Sequence, residues 1–155
     1  MIKDKFTNQE WDKEDIVDSK HDQIVLKLMD KEILKKLFQY RIGTGEQVET
    51  VIEEIKTEVP VKAGYHKDFI VGYVDLVIHI VLRKNGEFLG SKNIYIEVKP
   101  KVDNFGSLIR QINKYREYVG CGDEWVVATR ECSKQIERAL NSQKIRVIIA
   151  SKTAT

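Results

Sequence analysis

Apolar positions in this chain change period several times, and each change marks an element. From Asp22 onward, Ile24, Val25, Leu28, Ile33, Leu34, Leu37 and Phe38 recur every three or four residues, the period of one buried helix stripe. Lys27, Lys31, Lys35 and Lys36 fall towards the other side of that helix. Arg41-Ile42-Gly43-Thr44-Gly45 breaks the pattern, and a second helix is predicted from Thr44 to about Lys56. Thr44 suits an N-cap, Gln47 stands three residues on as in a capping box, and Val48, Val51, Ile52 and Ile55 form an inner stripe. Thr57 to Lys62 reads as a short strand, with Pro60 fitted to an edge or a bulge because it has no N–H to give a ladder. After a loop from Ala63 to Lys67, Ile70 to Leu82 is almost continuously apolar, the mark of a strand buried on both faces. Lys84-Asn85-Gly86 supplies the Asn and Gly that a tight turn needs for positive φ. In the next strand, Asn93 to Lys99, alternation sends Ile94, Ile96 and Val98 to one face and Tyr95, Glu97 and Lys99 to the other.

The C-terminal third alternates helix and strand. A helix is predicted from Ser107 to Val119, with Leu108, Ile109, Ile112, Tyr115 and Val119 inward. A strand from Trp125 to Thr129, a helix from Ser133 to Asn141 and a last strand from Ile145 to Ala150 follow, implying a right-handed parallel crossover. Met1 to Lys20 is highly charged and lacks a period, which fits an arm or short irregular helix docked through Trp11 and Ile16. The order of helix, three strands, helix, strand, helix, strand predicts an α/β fold, a mixed central sheet flanked by helices. With no internal repeat, low-complexity segment or linker, the 155 residues make one domain. Residues 1–42 form an arm and amphipathic helix, and 43–155 the core.

Composition narrows the picture in three ways. The 26 basic residues against 24 acidic ones leave a net charge of +2, so any phosphate-binding surface must come from local clusters. Cys121 and Cys132 have no metal-site spacing and suit reduced thiols in a cytoplasmic protein. No apolar run approaches the ~20 residues of a membrane span and no signal peptide is evident, so no membrane partner is expected.

The candidate chemistry lies in the apolar strands. Asp75 interrupts the first of them, and an acid there is costly unless it is paired or holds a metal. Glu97 lies in the neighbouring strand, and Lys99 two residues further on shares its face. Carboxylate oxygens suit Mg²⁺, which takes one or two of them with water and a substrate phosphate. The Lys99 ammonium would orient or deprotonate the attacking water, or offset charge growing on the phosphate. The plainer alternative is a buried salt bridge between Glu97 and Lys99.

Gly72-Tyr73-Val74-Asp75-Leu76-Val77-Ile78, followed by Ile96-Glu97-Val98-Lys99, resembles the core of the PD-(D/E)xK nuclease superfamily, with Val74 in place of the name-giving proline. Gln111-Ile112-Asn113-Lys114-Tyr115 is similar to the QxxxY element of the RecB-like branch, which includes CRISPR-associated exonucleases, and the likeness runs from about Gly43 to Ile149. The resemblance implies a restriction-endonuclease-like αβββαβ core. It implies that Asp75, Glu97 and the backbone carbonyl of Val98 hold Mg²⁺ or Mn²⁺, with Lys99 completing the site. Gln111 would organise the site and the bound strand, and Tyr115 would pack or hydrogen-bond nearby. Relatives place a Glu or His on the helix before the first strand as a further ligand. Glu49 lies nearest the inner stripe and is nominated, with Glu46 in reserve, while counting from Gly43 lands on Gln47. Lys101, Lys114, Arg110 and Arg116 offer positive charge to a DNA backbone. His21 and His66 read as solvated, and two cysteines cannot supply the four that iron–sulfur members of the branch require.

The expected function is thus a Mg²⁺- or Mn²⁺-dependent deoxyribonuclease, catalysed by Asp75, Glu97, Lys99, Gln111 and Glu49. A Holliday-junction resolvase would use the same residues as a homodimer, paired through the helix from Ile24 to Phe38. A non-catalytic DNA-binding or assembly subunit is the reading from another class. No helicase or recognition domain is evident in the sequence, so specificity would come from a partner, from oligomerisation or from substrate shape.

Overall fold

The computed structural model describes residues 20–119 and 123–150. The arm expected before Lys20, with Trp11 and Ile16, lies outside them, as does Cys121. The chain runs through α1 (Lys20–Leu28), α2 (Lys31–Leu37), β1 (Tyr40–Arg41), β2 (Gln47–Ala63), β3 (Phe69–Lys84), β4 (Glu87–Val98), α3 (Phe105–Arg116), β5 (Glu124–Thr129), α4 (Lys134–Ser142) and β6 (Ile145–Ile149). The six strands form one sheet in sequence order. Pairing is antiparallel from β1 to β4 and parallel from β4 to β6. The architecture is mixed α/β, with four helices among the described residues. None of these is long and apolar enough to cross a membrane.

Two expected helices take a different form. The stripe from Ile24 to Phe38 is two helices, because Asp30 adopts an extended backbone and its side chain accepts from the N–H groups of Glu32 at 2.8 Å and Ile33 at 3.3 Å. A short acid that caps a new helix competes with continuing the old one. The helix predicted from Thr44 to Lys56 is absent. Thr44 lies in the hairpin turn that returns β1 to β2, where Ile42 N–H donates to Glu46 O and Gly45 N–H to Ile42 O, and β2 then runs for 17 residues. Val48, Thr50 and Ile52 alternate inward as a strand requires. A bulge between Ile52 and Glu54 then shifts the phase by one residue. That slip spaces Val48, Ile52 and Ile55 by four and three, and a strand imitates a helix.

The sheet lies between two helical layers. On one face, Ile24, Leu28, Leu34 and Phe38 of the α1–α2 segment pack on Leu76, Ile78, Ile94, Ile96 and Val98. On the other, Leu108, Ile112 and Tyr115 of α3 and Leu140 of α4 pack on Val61, Val74, Trp125 and Val127. Val74 and Leu76 stand two residues apart on one strand and belong to opposite cores. Strict alternation would keep them on one face, so β3 turns over at Asp75. Opposite it, Glu58 adopts φ +52°, and the β2–β3 pairing passes from Thr57↔Leu76 to Val59↔Val74 without including either residue. Pairing of β3 with β4 begins only at Leu76↔Ile96, whereas β4 continues alongside β5 to Val98. The sheet therefore forks at Asp75: β2 and the first part of β3 leave as an arm, and β4 goes on with β5. At the other end of the β3–β4 hairpin, Asn85 and Gly86 both take positive φ, as the turn signal there requires.

The Asp30 cap carries the start of a helix only seven residues long. Asp30→Ala is expected to lower stability by about 1 kcal/mol, and Asp30→Asn by much less. Urea unfolding of the three proteins checks this, and equal midpoints would show that the cap contributes nothing.

Candidate active site at the fork of the sheet

Where β3 leaves β4, ladder hydrogen bonds give way to side-chain ones. The Asp75 N–H donates to Glu97 Oε1 at 3.3 Å, and the Val98 N–H donates to Asp75 Oδ2 at 2.8 Å. Each carboxylate thus accepts from the backbone of the other strand. Glu97 Oε2 accepts from Gln111 Nε2 at 3.0 Å, and that same amide nitrogen donates to the Tyr115 hydroxyl at 3.2 Å. Gln111 and Tyr115 sit one turn apart on α3, so one helix face delivers both. Tyr115 lies tightly over β3: a Cβ built on Gly72 would stand 2.7 Å from its ring carbons, nearer than such atoms approach. Only glycine leaves that space.

From the opposite layer, α1 contributes His21. Its Nε2 lies 3.2 Å from Asp75 Oδ1 and its Nδ1 3.1 Å from Asp22 Oδ1, so the protonated ring donates at both ends. Burial pulls the imidazole down, but the hydrogen bonds and charges of Asp22 and Asp75 outweigh it, and its pKa is raised. Glu97 is 2 % exposed, and its pKa is pushed up to about 7, first by burial and then by the neighbouring Asp75 charge. Lys99 opposes that rise. Its N–H is anchored to Ala128 O at 2.9 Å, and its ammonium makes no hydrogen bond or ion pair among the described residues. It lines a cleft of ≈ 210 Å³ with Lys101, Asn104, Ser107 and Gln111.

The residues nominated from sequence therefore fall into two groups. Asp75, Glu97, Val98, Gln111 and Tyr115 are joined by hydrogen bonds, with Lys99 beside them. The alternative of a Glu97–Lys99 salt bridge is not formed, since the Glu97 oxygens accept from Asp75 and Gln111. Lys101 is exposed at the cleft rim with Nζ 3.9 Å from Asp103, and Lys114 is exposed on α3. Arg116 is not available to a backbone track, because it donates to Gln143 O and Lys144 O and pins α3 to the end of α4. Glu49 is a correction. It lies exposed on β2 opposite Arg83, eight residues along β3 from Asp75. At ~3.3 Å per residue that is roughly 25 Å away. Glu46 pairs with Lys84 at the same far end, and Gln47 opens β2, so none of the three reaches the fork. From the helix before the meander it is His21 that reaches it, a residue expected to be solvated. Its signal was its place three residues before Ile24, on the stripe side of the helix. His66 stays exposed in the β2–β3 loop, edge-on to Tyr65.

Among the described residues, no three His, Cys, Asp or Glu side chains converge to enclose an ion. Two carboxylates do meet, and Mg²⁺ or Mn²⁺ in such a setting takes one or two, with water and phosphate completing the shell. The donor set fits. Glu97 is forced up by burial beside a second acid, and a divalent cation would offset that negative pair. No family model matches the chain, and no curated protein or solved structure matches it either.

Two outcomes follow from this geometry. Unfolded, Glu97 ionises near 4.5; folded, near 7. Between those values only the unfolded chain loses the proton, so stability falls as pH rises and the deficit is complete above about 7. The size is about 3 kcal/mol. In chelator, the native chain should lose about that much more stability between pH 4.5 and 8 than Glu97→Gln does, a difference that removes the parallel loss from His21. Urea unfolding at the two pH values reads it, and equal losses would refute the burden on Glu97. Gly72→Ala should cost about 1–3 kcal/mol by displacing Tyr115. Thermal unfolding checks it, and an unshifted Tm would mean that the ring is not held there.

Proposed function

We propose that this chain is a Mg²⁺- or Mn²⁺-dependent deoxyribonuclease of the PD-(D/E)xK type, built on a restriction-endonuclease-like αβββαβ core. The observation that carries the reading is the meeting of Asp75 and Glu97 at the fork, with the Lys99 ammonium beside them and unpaired among the described residues. The order of elements supports it once the seven-residue α2 and the two-residue β1 are set aside: α1, then β2, β3 and β4, then α3 and β5. In that order α1 takes the place of the helix that precedes the meander, and His21 the place expected for Glu49.

Asp75, Glu97 and the Val98 carbonyl hold the cation in this reading. When bound, it supplies Lewis-acid polarisation of the phosphate and a more acidic water. Lys99 orients that water or offsets charge on the phosphate in the transition state. Gln111 holds Glu97 Oε2, and Tyr115 holds Gln111, so the carboxylate keeps one direction. His21 does the same for Asp75 Oδ1. Lys101 and Lys114 meet phosphates on either side of the cut.

The test is cleavage of single-stranded, linear duplex, circular and four-way-junction DNA with Mg²⁺, with Mn²⁺ and with chelator. Cutting should require the metal and fall at least a hundredfold, to order of magnitude, in Asp75→Ala and in Lys99→Ala. Glu49→Ala, far along β2, should cut as the native chain does, whereas His21→Ala should cut more slowly. A native chain that cuts nothing with either metal, or a Lys99→Ala protein as active as native, would sink the assignment.

A further inference from the structure

A second cavity, of ≈ 300 Å³, opens beside Asp75 on the face of the sheet that carries α1. Val25 and Leu26 of α1, with Met29 just past it, line it together with Thr57 and Glu58 of β2. His21 and Asp75 also line it. Its chemistry is unlike that of the Lys99 cleft. Leu26 is 63 % exposed and Met29 41 %, so an apolar surface is left bare directly against a polar site. The charged groups lining it are Asp22, Glu58 and Asp75, with His21 and no lysine or arginine among the described residues. Such a lining repels a phosphate and favours a flat neutral group that offers N–H donors at its edge. Glu58, which would accept from that edge, is aimed by a left-handed backbone conformation that non-glycine residues rarely adopt.

We propose that this cavity receives one unpaired nucleobase of the substrate strand, whose phosphate lies at the Lys99 cleft, an inference that rests on the nuclease reading. The apolar walls take the faces of the base, with the soft Met29 thioether adapting to its outline. Glu58 accepts from an exocyclic amino group, as a carboxylate does from cytosine N4. A cavity of this volume has room for one base. The base must leave its stack to enter, so the substrate is single-stranded or unpaired at the cut. Phosphates then lie towards the Lys99 cleft, and the base lies on the other side of the carboxylates.

The experiment uses the full Lys99→Ala chain with Mg²⁺, which binds without cutting, and reads fluorescence anisotropy of labelled strands. Oligodeoxycytidylate should bind about tenfold more tightly than an abasic deoxyribose-phosphate strand of equal length. Adding Leu26→Asp, at a position exposed enough to tolerate it, should remove that preference while leaving the abasic strand's affinity unchanged. Met29→Glu should act in the same direction, and Glu58→Gln should narrow the margin of cytosine over thymine strands. Equal binding of the basic and abasic strands overturns the proposal while leaving the nuclease standing. So does an equal loss for both strands in Leu26→Asp, which would report charge and not a base. If the native chain neither cuts nor binds DNA, the nuclease reading fails and takes this inference with it.

Discussion

At the fork, two backbone N–H groups that have lost their place in a ladder find acceptors in two side chains. The Asp75 N–H donates to Glu97 and the Val98 N–H to Asp75. A buried N–H left without an acceptor costs about 1–3 kcal/mol, so a sheet that splits in its interior needs such substitutes. The exchange locks β3 to β4 at the point where they separate. It also brings two acids into contact in a place where Glu97 is almost wholly buried. The raised Glu97 pKa is therefore a consequence of how the fork is closed.

The same event explains why two helices from opposite layers converge here. Because β3 turns over at Asp75, side chains on both faces of the sheet come within reach of one point. His21 arrives from α1 and Gln111 from α3, each holding one carboxylate oxygen. Around them the tolerances are narrow. Tyr115 fits over β3 only because Gly72 has no side chain, and Glu58 accepts a strained backbone opposite the turnover. Strain of this kind persists only where the surroundings over-determine it.

How much of this was legible depended on how local each signal was. Strands β3, β5 and β6 and helices α3 and α4 announced themselves through apolar runs and regular stripes. Asn85-Gly86 named its own turn. Asp75 and Glu97 stand out because acids in apolar strands are visible without coordinates, whereas Gln111 and Tyr115 enter through the resemblance to the QxxxY element. The failures were of phase and of distance. A one-residue bulge after Ile52 made β2 look helical, and that error carried Glu49 towards a site it does not reach. With the wrong helix beside the site, His21 had no reason to be noticed. The fork itself was invisible, because nothing in the sequence near Val74 says which neighbour strand ends there.

The carboxylates also bear on function through what they replace. Asparagine and glutamine at positions 75 and 97 offer carbonyl oxygens to the same two N–H groups, without ionising in a buried place. Were closure of the fork the sole demand, amides would meet it at lower cost, since an acid forced to ionise at Glu97 forfeits about 3 kcal/mol above neutral pH. Charge is therefore in excess of what the fold needs, and it is concentrated where Lys99 stands beside it with no other partner among the described residues. In the proposed reading a divalent cation would complement that charge, beside the cleft that Lys99 and Lys101 line with Asp103. Ion binding would return the stability that the acid pair removes, because a ligand that favours the folded chain stabilises it. On that argument, stability and the proposed chemistry are governed by the same two side chains.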